Sequence, residues 1–452
     1  MEASKNMKKI TFVLLLSIFM TVISACAGNN TGSNSSPSTE PTASPAAGEN
    51  TAPEEAPKAV KLSIGLPHGF EITKKEIIDG FQAKYPHIEV ELDTTPWGDF
   101  VTNMPAKIAG GNPPDVWFQE NAVILGYGAR GVAEDLAPYF ERDINKDEYI
   151  DALYSSMTEG KIYGVPHGTN PIALAYNKKI FTEAGVPYPT DEWTYQDLLD
   201  TAEKLTKVNG DNVEHYGYIS GKNIVSGWLP WIRATGGQVL DATLTKAMVN
   251  DPKSIEGITK WSDAAKSGIF APHSFEKSLG GAEQVFGQEK AAMYYVQYST
   301  QLYFQSEFPD LDWDTVMIPK NFDGTRTVPM VTNSWLVYSK ASEEKKEAAW
   351  TFLKYYLSEE SQDILAASGA SLPVLKSSLV KVDAMTDTKP SNKKAYTMGI
   401  AEGGATLDEN ATWEEWNGVA QPLFDEIYNN RLTVEKGADE ITEKIQAVLD
   451  RK

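Results

Sequence analysis

The chain holds five histidines, at 68, 87, 167, 215 and 273, and no two take the HExxH spacing that puts a ligand pair on one helix face. One cysteine, Cys26, allows neither an internal disulfide nor a cysteine-based metal site. Ser-x-x-Lys spacing occurs at Ser274–Lys277, Ser342–Lys345 and Ser391–Lys394, but without the S-D-N or K-T-G partners that serine acyl transfer needs. Neither a G-x-S-x-G elbow nor a Walker loop is present. What stands out is binding chemistry. Eleven tryptophans suit a site for flat, weakly polar faces. With 41 Lys+Arg against 62 Asp+Glu the net charge is −21, a field that disfavours nucleic acid and anionic lipid.

These groups need elements to position them. In GGNPPDVWFQE, residues 110–120, two Gly and two Pro stop what precedes, and Asp115 opens a short apolar strand ending in Gln119 and Glu120. Upstream, 60–66 and 88–92 alternate as strands, while 71–84 and 99–109 have helical periodicity. Strand, helix, strand, helix, strand is the rhythm of a parallel sheet in an α/β fold. Small molecules bind beyond the carboxyl ends of such strands. Those ends carry His68, Trp97, and Gln119, Glu120 and Asn121. Residues 160–181 read as two strand pieces around Pro166–Pro171, a step that includes His167 and Asn170. Thr194 and Asp197 form a capping box, and Ser342 starts another helix.

The N-terminus reads as a targeting segment. Lys5, Lys8 and Lys9 precede an apolar run over 10–23, about 14 residues against the roughly 20 a membrane span needs, so 1–25 is expected to be a signal peptide. Ile23-Ser24-Ala25-Cys26 resembles a lipobox, which implies lipidation of Cys26 and anchoring on the outer face of a cell membrane, Gram-positive in type. Residues 26–59 lack aromatic and branched aliphatic side chains and are expected to form a disordered linker. Its reach is on the order of 30 Å. The remaining body of about 390 residues is too large for one ordinary core.

A series of segments in fixed order resembles the sugar-binding group of extracellular solute-binding proteins of ABC importers, maltodextrin-binding proteins among them. They are GGNPPDVW, GVAEDLAPY at 131–139, GKIYGVP followed by ALAYNKKIFTEAGV, EWTYQDLLDTAEKL, Ala291-Ala292-Met293, 345–374, and a tryptophan-bearing C-terminal helix. The resemblance implies the two-lobed fold of type II periplasmic-binding proteins, with three hinge crossovers near 165–171, 317–321 and 369–374 and the ligand cleft between lobes. The lobes would comprise 60–168 with 321–369, and 169–320 with 370–452. It implies a saccharide, expected to be an oligosaccharide, delivered to ABC permease transmembrane subunits by a monomeric receptor without cofactor, metal or nucleic acid.

Family positions fall on His68, Gln119, Glu120, Asn121, Asn170, Trp228, Trp413 and Trp416. Trp97, Asp115, His167, Tyr298 and Trp335 are further ligand candidates from type and place. Each has a structural alternative: Asp115 could cap a turn, and any tryptophan could fill a core. The chain departs from the pattern after Met293, where a Gly and a stacking Trp are replaced by Gln297 and Ser299. A secreted glycoside hydrolase with paired carboxylates is the competing enzyme reading. A passive surface adhesin or sugar receptor is the competing non-transport one.

Overall fold

The computed structural model describes residues 58–67, 73–210 and 212–451, leaving aside the side chains of Lys74 and Trp97. The signal-peptide stretch, Cys26, nearly all of the expected linker and His68 lie outside the described residues.

The strands are β1 (Val60–Gly65), β2 (Ile88–Asp93), β3 (Val116–Glu120), β4 (Met157–Thr158), β5 (Lys161–Ile162), β6 (Val165–Asn177), β7 (Lys207–Asn209), β8 (Asn212–Ile219), β9 (Ala291–Gln297), β10 (Trp313–Val316), β11 (Val328–Val337) and β12 (Gly404–Ala405). β4 and β5 form a small separate hairpin. The principal sheet runs β2-β1-β3-β11-β6-β9-β8-β7, with β10 beside β6 and β12 beside β11. β1 pairs parallel with β2 and β3, as the strand–helix rhythm predicted.

β6 joins the two halves of the sheet. Its Val165–Pro171 stretch pairs antiparallel with β11, and Ile172–Tyr176 pairs antiparallel with β9. The sequence led us to expect two strands here, split by the prolines. One strand runs through instead, because a register shift opposite, between Asn333 and Ser334, accommodates Pro166, which has no N–H to donate. Gly168 is required at this point. A Cβ there would lie 2.4 Å from Ser371 Oγ and 2.7 Å from the Leu372 carbonyl, and Thr169 exchanges backbone hydrogen bonds with Leu372. The segments 165–171 and 369–374 are thus laced side by side.

Two lobes follow from where the apolar side chains go. Around β1–β3, one cluster joins Leu62, Ile64, Phe118 and Trp335 to the helix Glu343–Tyr356, and a second on the opposite sheet face joins Phe100, Trp117 and Tyr127. Around β6, β8 and β9, one cluster joins Tyr195, Trp228, Trp261 and Trp416, and another joins Tyr294, Tyr298, Phe304 and Trp313. Alternation along β3 sends Trp117 and Phe118 to opposite faces, as its period of two requires.

The expected crossover at 317–321 is a correction. Met317 N–H donates to Asp191, Lys320 N–H donates to the Trp193 carbonyl, and Arg326 bonds the carbonyls of Asp191 and Ile318. The segment is therefore fastened beside residues 191–193, and β11 makes the passage downstream.

Candidate functional site

The route to the site begins at the helix Trp97–Ala109, which ends at Gly110, followed by Gly111 in the left-handed region (φ 75°). Pro113 and Pro114 then lead to Asp115, whose carboxylate accepts from Ser63 N–H (2.9 Å), Ser63 Oγ (2.8 Å) and Lys345 Nζ (2.8 Å). Asp115 is 6% exposed. It is a clamp joining β1, β3 and the helix Glu343–Tyr356, which corrects its reading as a ligand contact. Held in this way, β3 carries Glu120 to its carboxyl end, where the helix Asn121–Ala129 starts.

Glu120 lines a cavity of about 480 Å³ together with Phe118, Asn170, Asn223, Val225, Gln297, Ser299, Val331 and Asn333. The walls come from the ends of β3 and β9, the middles of β6 and β11, and the loop before the helix Trp228–Ala234. They gather at the middle of the sheet, where β6 and β11 pass between lobes. Of the residues singled out from sequence, Glu120 and Asn170 meet here. Asn170 is also a strut: its Oδ1 accepts from Ser299 N–H (3.0 Å) and its Nδ2 donates to Ser371 Oγ (3.3 Å).

Among the described residues, six of the nine lining side chains are polar and none is basic. Burial, reinforced by the charge of Glu414, raises the Glu120 carboxyl above the usual range. Burial likewise raises Glu414. Glu409 is pushed up to about 8, first by burial and further by the charges of Glu120 and Asp408, against a hydrogen bond with Asn121. Amides, one hydroxyl and a carboxylate can exchange hydrogen bonds with a neutral polyhydroxylated molecule. An anionic solute would face a carboxylate with no counter-charge beside it.

Several candidates prove structural. Asn121 Nδ2 donates to the Ser155 carbonyl (2.6 Å) and its Oδ1 accepts from Ser156 Oγ, fixing the helix start to the 155–156 turn. Gln119 is fully buried, with Oε1 accepting from Glu120 N–H (3.0 Å). His167 is buried under Phe118, ring centroids 5.1 Å apart, and burial lowers its imidazole to about 3, so it is neutral. Trp335 and Tyr298 are fully buried, the latter edge-on to Tyr396.

Trp228 and Trp416, expected as stacking platforms, are at most 1% exposed. Trp228 instead lies flat on Phe424 (4.0 Å, 13°), and Trp416 packs edge-on to Trp413 (5.8 Å). At that exposure neither ring presents a face to a ligand. Trp413 is half-buried, with Nε1 donating to the Leu407 carbonyl (3.2 Å), and is not in the cavity wall. The Trp97 side chain and His68 lie outside the described residues.

Sequence reasoning missed Asn223, Val225, Val331 and Asn333 as lining residues. Asn333 had a signal, as a polar residue within the apolar run of β11. Gln297 and Ser299, noted as departures from the family pattern, line the cavity in the place where a stacking tryptophan was expected.

Taken together, two α/β lobes joined through β6 and β11, with a polar cavity at the junction, define a solute-binding architecture. The family model of bacterial extracellular solute-binding proteins matches residues 76–394, and the chain belongs to that family. A Brucella abortus protein, named only as a binding protein, is 24% identical over 363 residues, covering 77% of this chain and 85% of its own length. The Listeria monocytogenes ABC substrate-binding protein in complex with cycloalternan superposes with a TM-score of 0.77 at 22% identity, over 87% of this chain and all of that one. A maltose-bound Thermotoga maritima protein gives 0.71 at 19% identity, over 86% and 100%. These structural likenesses establish the two-lobed fold.

Proposed function

We propose that the protein captures a short, uncharged saccharide in the cavity between its lobes and delivers it to the membrane subunits of an ABC importer. The observation that carries this is the lining. Glu120, Asn170, Asn223, Gln297, Ser299 and Asn333 supply hydrogen-bonding groups from both lobes, with no basic side chain among them. Its volume lies within the ~300–1,000 Å³ of small-molecule clefts. The Listeria and Thermotoga relatives, bound to cycloalternan and maltose, support a carbohydrate. Among the described residues Phe118 is the one aromatic ring in the wall, so hydrogen bonding takes the larger part there, which favours a short ligand over a long chain. Lobe closure about 165–171, β11 and 369–374 would bury the sugar, and the closed form would dock on the permease. In the same reading Cys26 is lipidated after removal of 1–25, and the protein works as a monomer on the extracellular face of the cell membrane without cofactor. Catalysis of sugar hydrolysis is the rival.

The test is a fluorescence and calorimetric screen of maltose, cycloalternan, erythritol and N,N′-diacetylchitobiose, with chromatography of each mixture. One-to-one binding with the sugar recovered intact supports a receptor, and shortened products would mean an enzyme.

A further inference from the structure

The loop Gly221–Gly227 brings Asn223 and Val225 to the cavity from the second lobe, and its shape is dictated at both ends. A Cβ on Gly221 would lie 2.2 Å from Ser226 Oγ, and one on Gly227 would lie 2.4 Å from the carbonyls of Asn223 and Gly221. Inside the loop, Asn223 Oδ1 accepts from Ser226 N–H (2.9 Å) and Ser226 Oγ (3.2 Å). A backbone N–H can only donate, so the amide has one orientation and Nδ2 is the group left over for a ligand. No described residue accepts from that Nδ2.

A second amide is fixed in the same manner behind the loop. Trp228 Nε1, a donor only, donates to Gln421 Oε1 (3.1 Å), which leaves Gln421 Nε2 to donate to the Lys222 carbonyl (2.6 Å). Asp425, one turn further along the helix Trp413–Tyr428, pairs with Lys222 Nζ (2.8 Å), and its other oxygen accepts from Gln421 Nε2 (3.3 Å). Lys222 is therefore held at its carbonyl and its ammonium group, and Asn223 is the next residue.

We propose that Asn223 is a specificity residue, donating through Nδ2 to a ligand oxygen opposite the acceptor Glu120, and that Gln421 is the positioning residue that holds its loop. This rests on the saccharide reading of the same cavity. A sugar hydroxyl matches such walls, since it donates to a carboxylate and accepts from an amide at once. Trp228, fully buried, acts on the ligand through Gln421 rather than by stacking.

The test uses the full chain and the four sugars of the screen. Asn223→Asp keeps the acceptor for Ser226 and turns the ligand-facing donor into an acceptor. Affinity should fall at least about tenfold, as for one lost hydrogen bond plus an unfavourable contact. Gln421→Glu keeps the acceptor for Trp228 and loses the donor to Lys222. Alone it should weaken binding about fivefold, and in the Asn223→Asp background it should add nothing, the non-additivity of residues acting through one contact. Hydrogen exchange of the 222–227 amides in the ligand-free protein should speed up in Gln421→Glu. Wild-type affinity in Asn223→Asp overturns the donor role. Equal losses from Gln421→Glu in both backgrounds, or unchanged exchange, overturn the positioning role. If none of the four sugars binds the wild type, the saccharide reading and the Asn223 donation fall together, while the exchange result still decides the positioning role.

Discussion

Replacing Asp115 by alanine separates a structural carboxylate from a binding one. The side chain accepts two hydrogen bonds from Ser63 and is bridged at both oxygens by Lys345 Nζ (3.0 and 2.8 Å), while 6% exposed. Hydrogen bonds to a charged acceptor contribute about 1.5–3 kcal/mol each, and Ser63 loses its only carboxylate partner. The Lys345 side chain is 40% exposed, so its share is screened and no more than about 1 kcal/mol. Ser63 Oγ keeps its bond from Asp115 N–H (2.9 Å), which limits the total to roughly 3 kcal/mol. With about 2.1 cal/mol/K of unfolding entropy per residue over about 390 residues, this is a Tm decrease of about 4 °C. Scanning calorimetry of Asp115→Ala, with and without a saturating sugar, gives the measurement. The ligand-induced rise in Tm should match that of the wild type. A Tm within 1 °C of wild type, or loss of the ligand-induced rise, would refute the clamp.

The other predictions follow the same division. Glu409 binds its proton more tightly folded, near 8 against an ordinary 4.5, so its contribution is complete below 4.5 and is lost as pH rises from there through about 8. Glu409→Gln should therefore match the wild type in denaturant melts at pH 4.5 and exceed it at pH 8.5, with a ceiling of roughly 5 kcal/mol; equal pH profiles would show that the carboxylate is not buried. Trp416→Ala should cost about 3–5 kcal/mol of stability by leaving a core cavity, with the surviving folded fraction binding sugar normally. Reduced affinity at unchanged Tm would return Trp416 to the site. Gly168→Ala should lower Tm, since a Cβ there meets Ser371 and Leu372. A Tm equal to wild type would mean that the 165–171 and 369–374 segments can separate without cost.

What could be read from the chain divides along physical lines. Local patterns carry local structure: the alternation of 60–66 and 88–92 became β1 and β2, and Thr194 with Asp197 closes its capping box in both directions. Strand ends point to sites, and that rule singled out Glu120, which lines the cavity. The tryptophans misled because residue type does not state which neighbours will cover a ring. Trp228, Trp335 and Trp416 are large apolar surfaces that the cores absorb. Asn223, Gln297 and Asn333 come from segments far apart in sequence and converge only once β6 and β11 bring the lobes together. The crossover expected at 317–321 failed for a related reason. Its place came from the resemblance alone, and Asp191, Trp193 and Arg326 hold the segment through contacts that no local pattern encodes.

The most direct test of the account is isothermal titration of the tightest sugar from the screen into wild type and Glu120→Gln, side by side. Among the described residues Glu120 is the lone charged one in the cavity wall and makes no ion pair, so its exchange removes an acceptor without undoing a structural contact. One-to-one binding is predicted in the wild type and a loss of about 10- to 100-fold in the variant, the range for a hydrogen bond to a charged group, at a Tm no lower than that of the wild type, since burial disfavours the ionised carboxyl. Equal affinity in the two proteins would place the ligand elsewhere and contradict the cavity as the binding site.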